Sequence, residues 1–184
     1  MFELSEIEEL VNQINLPRLY EIAKNSAQIG NEILKINYNK IQKISSKGRK
    51  GDLVTNVDLE VENKIKEYLL QETPNISIHA EESGKLNKSS DLTWCIDPLD
   101  GTTNYSHGYP FFGSSIGLVY KNNPIIGAIS VPYLSELYSA CIGLGSFCND
   151  IKLKVTSPSN LSDSLLVTGF AYDRFEVEDN NYAE

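Results

Sequence analysis

The hydrophobic pattern changes its period once along the chain, and this change restricts the possible folds more than any other feature. Apolar residues recur at helical spacing in 17–34 and 58–71, which predicts two long helices. From residue 76 onwards, short apolar runs alternate with turn residues, which predicts strands. The predicted strands cover 76–82, 93–98, 114–120, 125–131 and 136–142, followed by a hairpin at 143–153 and a strand at 164–170. Helices followed by a meander of strands predict an α+β fold, with the helices packed on a large antiparallel sheet.

Length and charge exclude several classes of protein. A chain of 184 residues can bury a core of its own. The formal net charge of −9 disfavours nucleic acid and anionic membranes as partners. No apolar stretch reaches the roughly 18 residues of a membrane span, and the acidic N-terminus does not have the pattern of a signal peptide. Three cysteines without metal-binding spacing are typical of buried free thiols in a reducing compartment, so we expect a cytoplasmic protein.

Residues 94–105, WCIDPLDGTTNY, place two aspartates three positions apart at the end of an apolar run. Pro98 cannot donate a hydrogen bond to a neighbouring strand, so it predicts a turn at the end of this strand. Asp97 and Asp100 would then lie at the edge of the sheet, and the N–H groups from Gly101 onwards could cradle an anion. The pattern fits an ordinary solvated turn. It also fits a pair of oxygen ligands for a divalent cation, with Mg²⁺ favoured.

Two other acidic segments have the same two interpretations. Glu81 and Glu82 follow the predicted strand 76–82, where they are either solvated surface residues or part of a carboxylate cluster. Segment 47–58, KGRKGDLVTNVD, is a loop with basic and acidic residues before a helix, and its Asp58 is either functional or a simple N-cap.

Several common sites are excluded or have no support. An EF-hand beginning at Asp97 would need an acid or amide at Leu99 and a glycine at Thr102. The two histidines, His79 and His107, have no partner at metal-ligand spacing, so we interpret them as structural. The sequence contains no P-loop pattern and nothing typical of a serine–histidine triad or a zinc site.

Three segments in order, GDLVTNVD, AEES and IDPLDGTTNY, resemble the inositol monophosphatase family of Mg²⁺-dependent, lithium-sensitive sugar and polyol phosphatases. Further similar stretches are YPFFGSSIGLVY, GAISVPYLSELYSA, GLGSFCND and SLLVTGF. The resemblance covers roughly residues 17–172 and implies a layered α/β sandwich of the sugar-phosphatase type.

The resemblance implies a set of oxygen ligands for Mg²⁺, with two or three ions in the complete enzyme. Glu81 matches a carboxylate shared by the metals, and Asp97 matches the ligand that bridges two of them. The backbone carbonyl of Leu99 matches a further ligand, and Asp100 matches a ligand of the second metal. Glu81, Leu99 and Asp100 also match positions that bind substrate.

The resemblance also assigns residues around the substrate. Gly101 and Thr102 match the backbone that holds the phosphate. Asp58 and Thr102 match the pair that positions the attacking water, and together with Glu81 they form the implied catalytic set. Lys47 matches a basic residue near the site, and Asp52 matches the first aspartate of its loop.

The implied reaction is hydrolysis of a phosphomonoester by metal-activated water, with inositol monophosphate as the leading substrate. Relatives that act on histidinol phosphate, fructose bisphosphate or adenosine bisphosphate share these motifs, so a related substrate is an alternative. The resemblance also implies a homodimer that binds a small phosphorylated polyol or sugar.

One family motif, a Trp-Asp near the C-terminus, has no counterpart in the 184 residues, whose one tryptophan is Trp94. We therefore expect the chain to correspond to the N-terminal two-thirds of such an enzyme. Residues 1–160 would form a metal-binding domain, and 161–184 would begin a second α/β domain that is mostly missing. A catalytically impaired chain that binds metal or a partner without turnover is the non-enzymatic alternative.

Overall fold

The computed structural model describes residues 14–40, 44–46, 53–157 and 160–167. Three α-helices occur in these ranges: α1 (Leu16–Asn37), α2 (Asn56–Glu72) and the short α3 (Thr102–Ser106). The strands are β1 (Ile44–Ser46), β2 (Leu53–Thr55), β3 (Ser77–Ala80), β4 (Gly84–Leu86), β5 (Leu92–Asp100), β6 (Gly113–Tyr120), β7 (Asn123–Val131), β8 (Glu136–Cys141), β9 (Gly145–Cys148) and β10 (Ile151–Lys152).

Eight of the strands form one sheet in the order β10-β9-β8-β7-β6-β5-β3-β4. Every neighbouring pair is antiparallel except β3 and β5, which are parallel. The predicted α+β class is confirmed, and the parallel pair makes the sheet mixed rather than purely antiparallel. Because β3 and β5 run in the same direction, their C-terminal ends lie at the same edge of the sheet, and the acidic residues that follow them are brought together there.

The two long helices cover one face of this sheet. α1 packs on β6, β7 and β8, while α2 packs beside α1 and against β5. At Gly30 the helix approaches the sheet so closely that a Cβ atom would lie 2.4 Å from Ser114 Oγ. Trp94 is fully buried under α2 and donates its indole N–H to Thr73 Oγ1 at 3.0 Å. The opposite face is partly open, since Ile129 and Tyr138, which are cross-strand neighbours, are 43% and 37% exposed.

Strand β5 continues further than the sequence predicted. It runs through Pro98 to Asp100, and its pairing with β6 shifts by one residue between Asp97 and Asp100. The prediction that Pro98 ends the strand is therefore wrong, because the bulge accommodates a residue that cannot donate to the sheet. The bulge changes the direction of the chain just where the two aspartates stand.

Other differences from the predicted elements are small. The helices and the strands of the meander occur where they were predicted, but β4 and the small β1–β2 sheet were not foreseen. Residues 164–167 are not in a strand, and 168–170 lie outside the described residues. All three cysteines are free, although only Cys141 is buried.

Within the described ranges, none of the helices is both long and apolar enough to cross a membrane.

Candidate active site

The first part of the site is a pair of carboxylates at the C-terminal ends of β3 and β5. Glu81 immediately follows β3, and its backbone N–H donates to Ile96 O at 3.0 Å, which extends the pairing of the two strands by one residue. This bond places the side chain of Glu81 beside Asp97, with which it forms a hydrogen bond. Both residues line a shallow cavity of about 350 Å³ on the partly open face of the sheet.

The electrostatics of this pair are unfavourable for two free carboxylates. Burial, the nearby charge of Glu81 and the charge of Asp100 raise the pKa of Asp97 to about 7. The N–H of Leu99, which donates to Asp97 Oδ1 at 3.2 Å, opposes this rise in the pKa only in part. Near neutral pH the carboxyl group of Asp97 is therefore protonated in about half of the molecules, and a cation could take the place of that proton.

The second part of the site is the buried carboxylate of Asp58, in the first turn of α2. Thr55 is the N-cap of this helix, and Asp58 is the third residue of its capping box. Both the N–H and the hydroxyl of Thr55 donate to Asp58 Oδ2, the N–H at 2.9 Å. The interpretation of Asp58 as an N-cap is thus wrong by three positions, because Thr55 takes that role.

The other oxygen of Asp58 faces the loop after β5. The hydroxyl oxygen of Thr102 lies 3.3 Å from Asp58 Oδ1 and 3.0 Å from Leu99 O. Burial raises the pKa of Asp58, although its hydrogen bonds from Thr55 and Thr102 lower it in part. Because the N–H of Leu99 donates to Asp97, the short segment from the end of β5 into α3 connects Asp58 with the carboxylate pair.

The turn after β5 needs a glycine, and the short helix that follows it contacts α1. Gly101 has a left-handed backbone, with φ of 87°, and it caps the five-residue helix α3. A side chain at Gly101 would be strained by this φ value and would lie 3.1 Å from Phe111 O. The hydroxyl of Tyr105 in α3 donates to Leu34 O of α1 at 3.0 Å, which fixes α3 against the core.

The structure thus brings most of the predicted site residues to one edge of the sheet, in two groups. Glu81 lies with Asp97, and Asp58 lies with Thr102 and Leu99, while Asp100 is exposed and Gly101 half-buried between them. In the ranges that the structure describes, no three His, Cys, Asp or Glu side chains form a group that could hold a metal ion by themselves. The two remaining predicted residues, Lys47 and Asp52, lie outside the described residues.

Comparison with known proteins shows the family. A family model described as the inositol monophosphatase family matches residues 15–182. The chain belongs to this family. An inositol-1-monophosphatase from Synechocystis is 45% identical over 156 residues, which are 84% of this chain and 54% of that protein. A fructose-1,6-bisphosphatase/inositol-1-monophosphatase from Aquifex aeolicus is 41% identical over 85% of this chain and 60% of that protein.

The fold of the family is also found in solved structures. An inositol monophosphatase from Anabaena is 41% identical and superposes with a TM-score of 0.77, covering 92% of this chain and 62% of that one. The chain therefore spans a little more than half the length of the curated relatives it matches. The proteins of this family are phosphatases.

Two residues near the site were not predicted from the sequence. Thr55 holds Asp58, and a Thr three residues before an Asp at the start of a helical pattern is the capping signal that could have identified it. Glu62 is buried and accepts hydrogen bonds from the backbone N–H groups of Glu82 and Ser83. Its signal was a charged residue on the apolar face of α2, four positions after Asp58 and between the buried Val61 and Ile65.

Proposed function

We propose that this site hydrolyses a phosphomonoester in the presence of Mg²⁺, with inositol monophosphate as the leading substrate. The proposal rests mainly on the contact of Glu81 with Asp97, two acidic residues at the C-terminal ends of neighbouring strands. A protein that only needed a stable turn would have no reason to place two acids in contact at a cost in folding free energy. A site that binds a divalent cation needs them there.

The donors that are present fit Mg²⁺. Glu81 and Asp97 supply carboxylate oxygens, and Leu99, two residues after Asp97 in the bulged end of β5, supplies a backbone carbonyl. Mg²⁺ prefers oxygen ligands and commonly keeps several waters while it binds one or two carboxylates. A pair of acids, rather than a closed cage of side chains, is therefore sufficient. Bound at such a site, Mg²⁺ would supply Lewis acidity towards phosphoryl oxygen and would lower the pKa of a coordinated water.

Asp58 and Thr102 would orient the attacking water and receive its proton. The hydroxyl of Thr102 can donate its one proton to Asp58 Oδ1 or to Leu99 O, and either choice leaves lone pairs on the Thr102 oxygen to accept a hydrogen bond from water. Asp58 is 1% exposed, and its other oxygen is held by two donors from Thr55, so that Oδ1 keeps a fixed direction. Since burial raises the pKa of Asp58, its carboxylate is a better proton acceptor than an exposed aspartate would be.

The segment after β5 would hold the substrate. Gly101 permits the tight turn into α3, and the absence of a side chain lets a phosphate approach the backbone N–H groups of this turn. Asp100 is exposed at the same place, where it could contact a second cation or a hydroxyl of the substrate. Lys47 and Asp52 remain predicted members of the site on the basis of the family resemblance.

The nature of the alcohol is proposed from the relatives. The relatives from Synechocystis and Anabaena are named as inositol monophosphatases, and the relative from Aquifex is also named as a fructose-1,6-bisphosphatase. Inositol monophosphate is therefore the first substrate to test, followed by fructose 1,6-bisphosphate. The homodimer expected from the resemblance also remains a proposal.

The test is release of inorganic phosphate by the 184-residue chain, measured with and without Mg²⁺. Inositol 1-phosphate, fructose 1,6-bisphosphate, histidinol phosphate and adenosine 3′,5′-bisphosphate would be compared at equal concentration. Binding of Mg²⁺ would be measured separately by calorimetry. Mg²⁺-dependent release that is lost in Asp97→Asn supports the proposal. Binding without turnover supports the non-enzymatic alternative, and the absence of both contradicts the proposal.

A further inference from the structure

The hairpin turn that carries Glu81 is held from the side by a buried carboxylate. Residues 81–83 connect β3 to β4, and the backbone N–H of Glu82 donates to Glu62 Oε2 at 2.7 Å. The next N–H, that of Ser83, donates to Glu62 Oε1 at 3.1 Å. Each oxygen of the carboxylate therefore binds one of two consecutive amides of the turn.

Lys66, one helical turn after Glu62, strengthens this arrangement. Its ammonium group donates to Ser83 Oγ at 2.6 Å and lies 3.9 Å from Glu62 Oε1. The side chain of Glu62 is 2% exposed and that of Lys66 is 22% exposed. Charge-assisted hydrogen bonds are about twice as strong as neutral ones, and water competes little at a buried carboxylate. Helix α2 thus binds the turn through two charged side chains.

We propose that Glu62 is a positioning residue that holds the turn 81–83 so that the carboxylate of Glu81 lies beside Asp97. The N–H of Glu81 is fixed to β5 through Ile96 O, and the two following N–H groups are fixed to α2 through Glu62. With three consecutive amides held, the backbone at Glu81, and with it the direction of its Cα–Cβ bond, is set before any ligand binds.

The same helix positions both parts of the site. Asp58 lies in the first turn of α2, and Glu62 lies one turn later on the same buried face. A rigid helix therefore fixes the distance between the residue that would accept a proton and the turn that would supply a cation ligand. Groups that orient metal ligands typically contribute 10–100-fold to metal affinity or activity. This role rests on the proposed function, because it assigns Glu81 to cation binding.

The test compares Glu62→Gln with two matched controls on α2. Gln keeps the shape of Glu but presents an NH₂ group to one of the two amides, so one hydrogen bond is replaced by a contact between two donors. Glu67→Gln makes the same change of charge at an exposed residue that contacts Lys64 and not the turn. Ile65→Val removes one buried methylene from α2 and lowers stability without changing a charge or a hydrogen-bonding group.

Two measurements are made on the 184-residue chain. Amide hydrogen exchange of Glu82 and Ser83 reports whether Glu62 holds the turn. Binding of Mn²⁺, a paramagnetic substitute for Mg²⁺, is followed by electron paramagnetic resonance and reports the consequence for the cation site. We expect Glu62→Gln to accelerate exchange at both amides and to raise the Kd for Mn²⁺ by about 10–100-fold. Both controls should leave the exchange of these amides and the Kd near the values of the unmodified chain.

The outcomes are distinguishable. Unchanged amide exchange in Glu62→Gln would overturn the proposal, because Glu62 would then not hold the turn. A Kd for Mn²⁺ that rises equally in Glu62→Gln and Ile65→Val would also overturn it, because the effect would then come from lost stability alone. If the unmodified chain binds no Mn²⁺, the proposed function is contradicted, and the exchange data alone then decide whether Glu62 holds the turn. If Glu62→Gln does not fold, Lys66→Met replaces it, with the expectation of a smaller loss of affinity in the same direction. No loss of affinity in Lys66→Met would then overturn the proposal.

Discussion

Replacing Thr55 by valine tests how the buried Asp58 is maintained. The change keeps the shape of the side chain but removes the hydroxyl, which donates to Asp58 Oδ2 and accepts from the N–H groups of Val57 and Asp58. Loss of an N-cap costs about 1 kcal/mol of folding free energy. Loss of a hydrogen bond to a buried charged group costs a further 1.5–3 kcal/mol or so. We therefore expect Thr55→Val to lower the free energy of unfolding by about 3 kcal/mol.

The matched control is Thr55→Ser, which keeps the hydroxyl and loses one buried methyl group. Its expected cost is about 1 kcal/mol. Unfolding by urea, followed by circular dichroism at pH 7.5, gives both values. If Thr55→Val is no more destabilising than Thr55→Ser, the hydroxyl does not support Asp58 and the reasoning is refuted.

The pH dependence of the free energy of unfolding provides a second check with the same variant. Burial raises the pKa of Asp58, and the hydrogen bonds from Thr55 lower it, so the pKa in Thr55→Val should rise further. When the pKa of an acid is higher in the folded state than in the unfolded state, folding is favoured at low pH. This contribution to stability is lost as the pH rises through the folded-state pKa. The difference in stability between the unmodified chain and Thr55→Val should therefore widen from pH 4.5 to pH 7.5. A difference that narrows over this range would contradict the assignment.

Three further predictions concern the carboxylate pair and the loop. Asp97→Asn should lower phosphate release by at least about 10²–10³-fold at saturating Mg²⁺, because the variant loses a proposed cation ligand. An activity near that of the unmodified chain would contradict the role of Asp97 as a ligand. Thr102→Val should lower kcat more than it raises KM, because the hydroxyl orients water while the backbone N–H remains; a change in KM alone would assign the side chain to binding. Since the pKa of Asp97 is about 7 without a cation, Mg²⁺ must displace its proton, and calorimetry should show affinity falling below pH 7. An affinity that stays constant from pH 5.5 to pH 8 would show that Asp97 is not a ligand.

The elements with strong periodicity could be predicted from the sequence, and the elements that depend on distant contacts could not. The apolar residues from Leu19 to Leu34 form one continuous face of a helix, and this face packs on the sheet in α1. Strand β4 was missed because its residues are half-buried or exposed and show no alternation, so its pairing with β3 decides its conformation. The continuation of β5 through Pro98 was missed because the bulge depends on β6, which lies elsewhere in the sequence.

The site shows the same division. Its motifs predict Asp58, Glu81 and Asp97 as site residues, because these residue types and spacings are specific enough to imply the family, and the structure brings Glu81 and Asp97 together. The sequence did not show that Thr55, rather than Asp58, caps α2, although the capping signal was present. It also could not show that Glu62 contacts a turn twenty residues away, because that contact exists only after α2 has packed beside β3 and β5.

Anomalous diffraction from crystals soaked in Mn²⁺ tests the cation site most directly. The expected result is a peak roughly 2–2.5 Å from carboxylate oxygens of both Glu81 and Asp97, as for an ion held by oxygen ligands. Crystals of Asp97→Asn should show this peak weakened or lost under the same conditions. Saturating Mn²⁺ that gives no peak between Glu81 and Asp97, or peaks only elsewhere on the surface, would contradict the proposal that this pair binds a divalent cation.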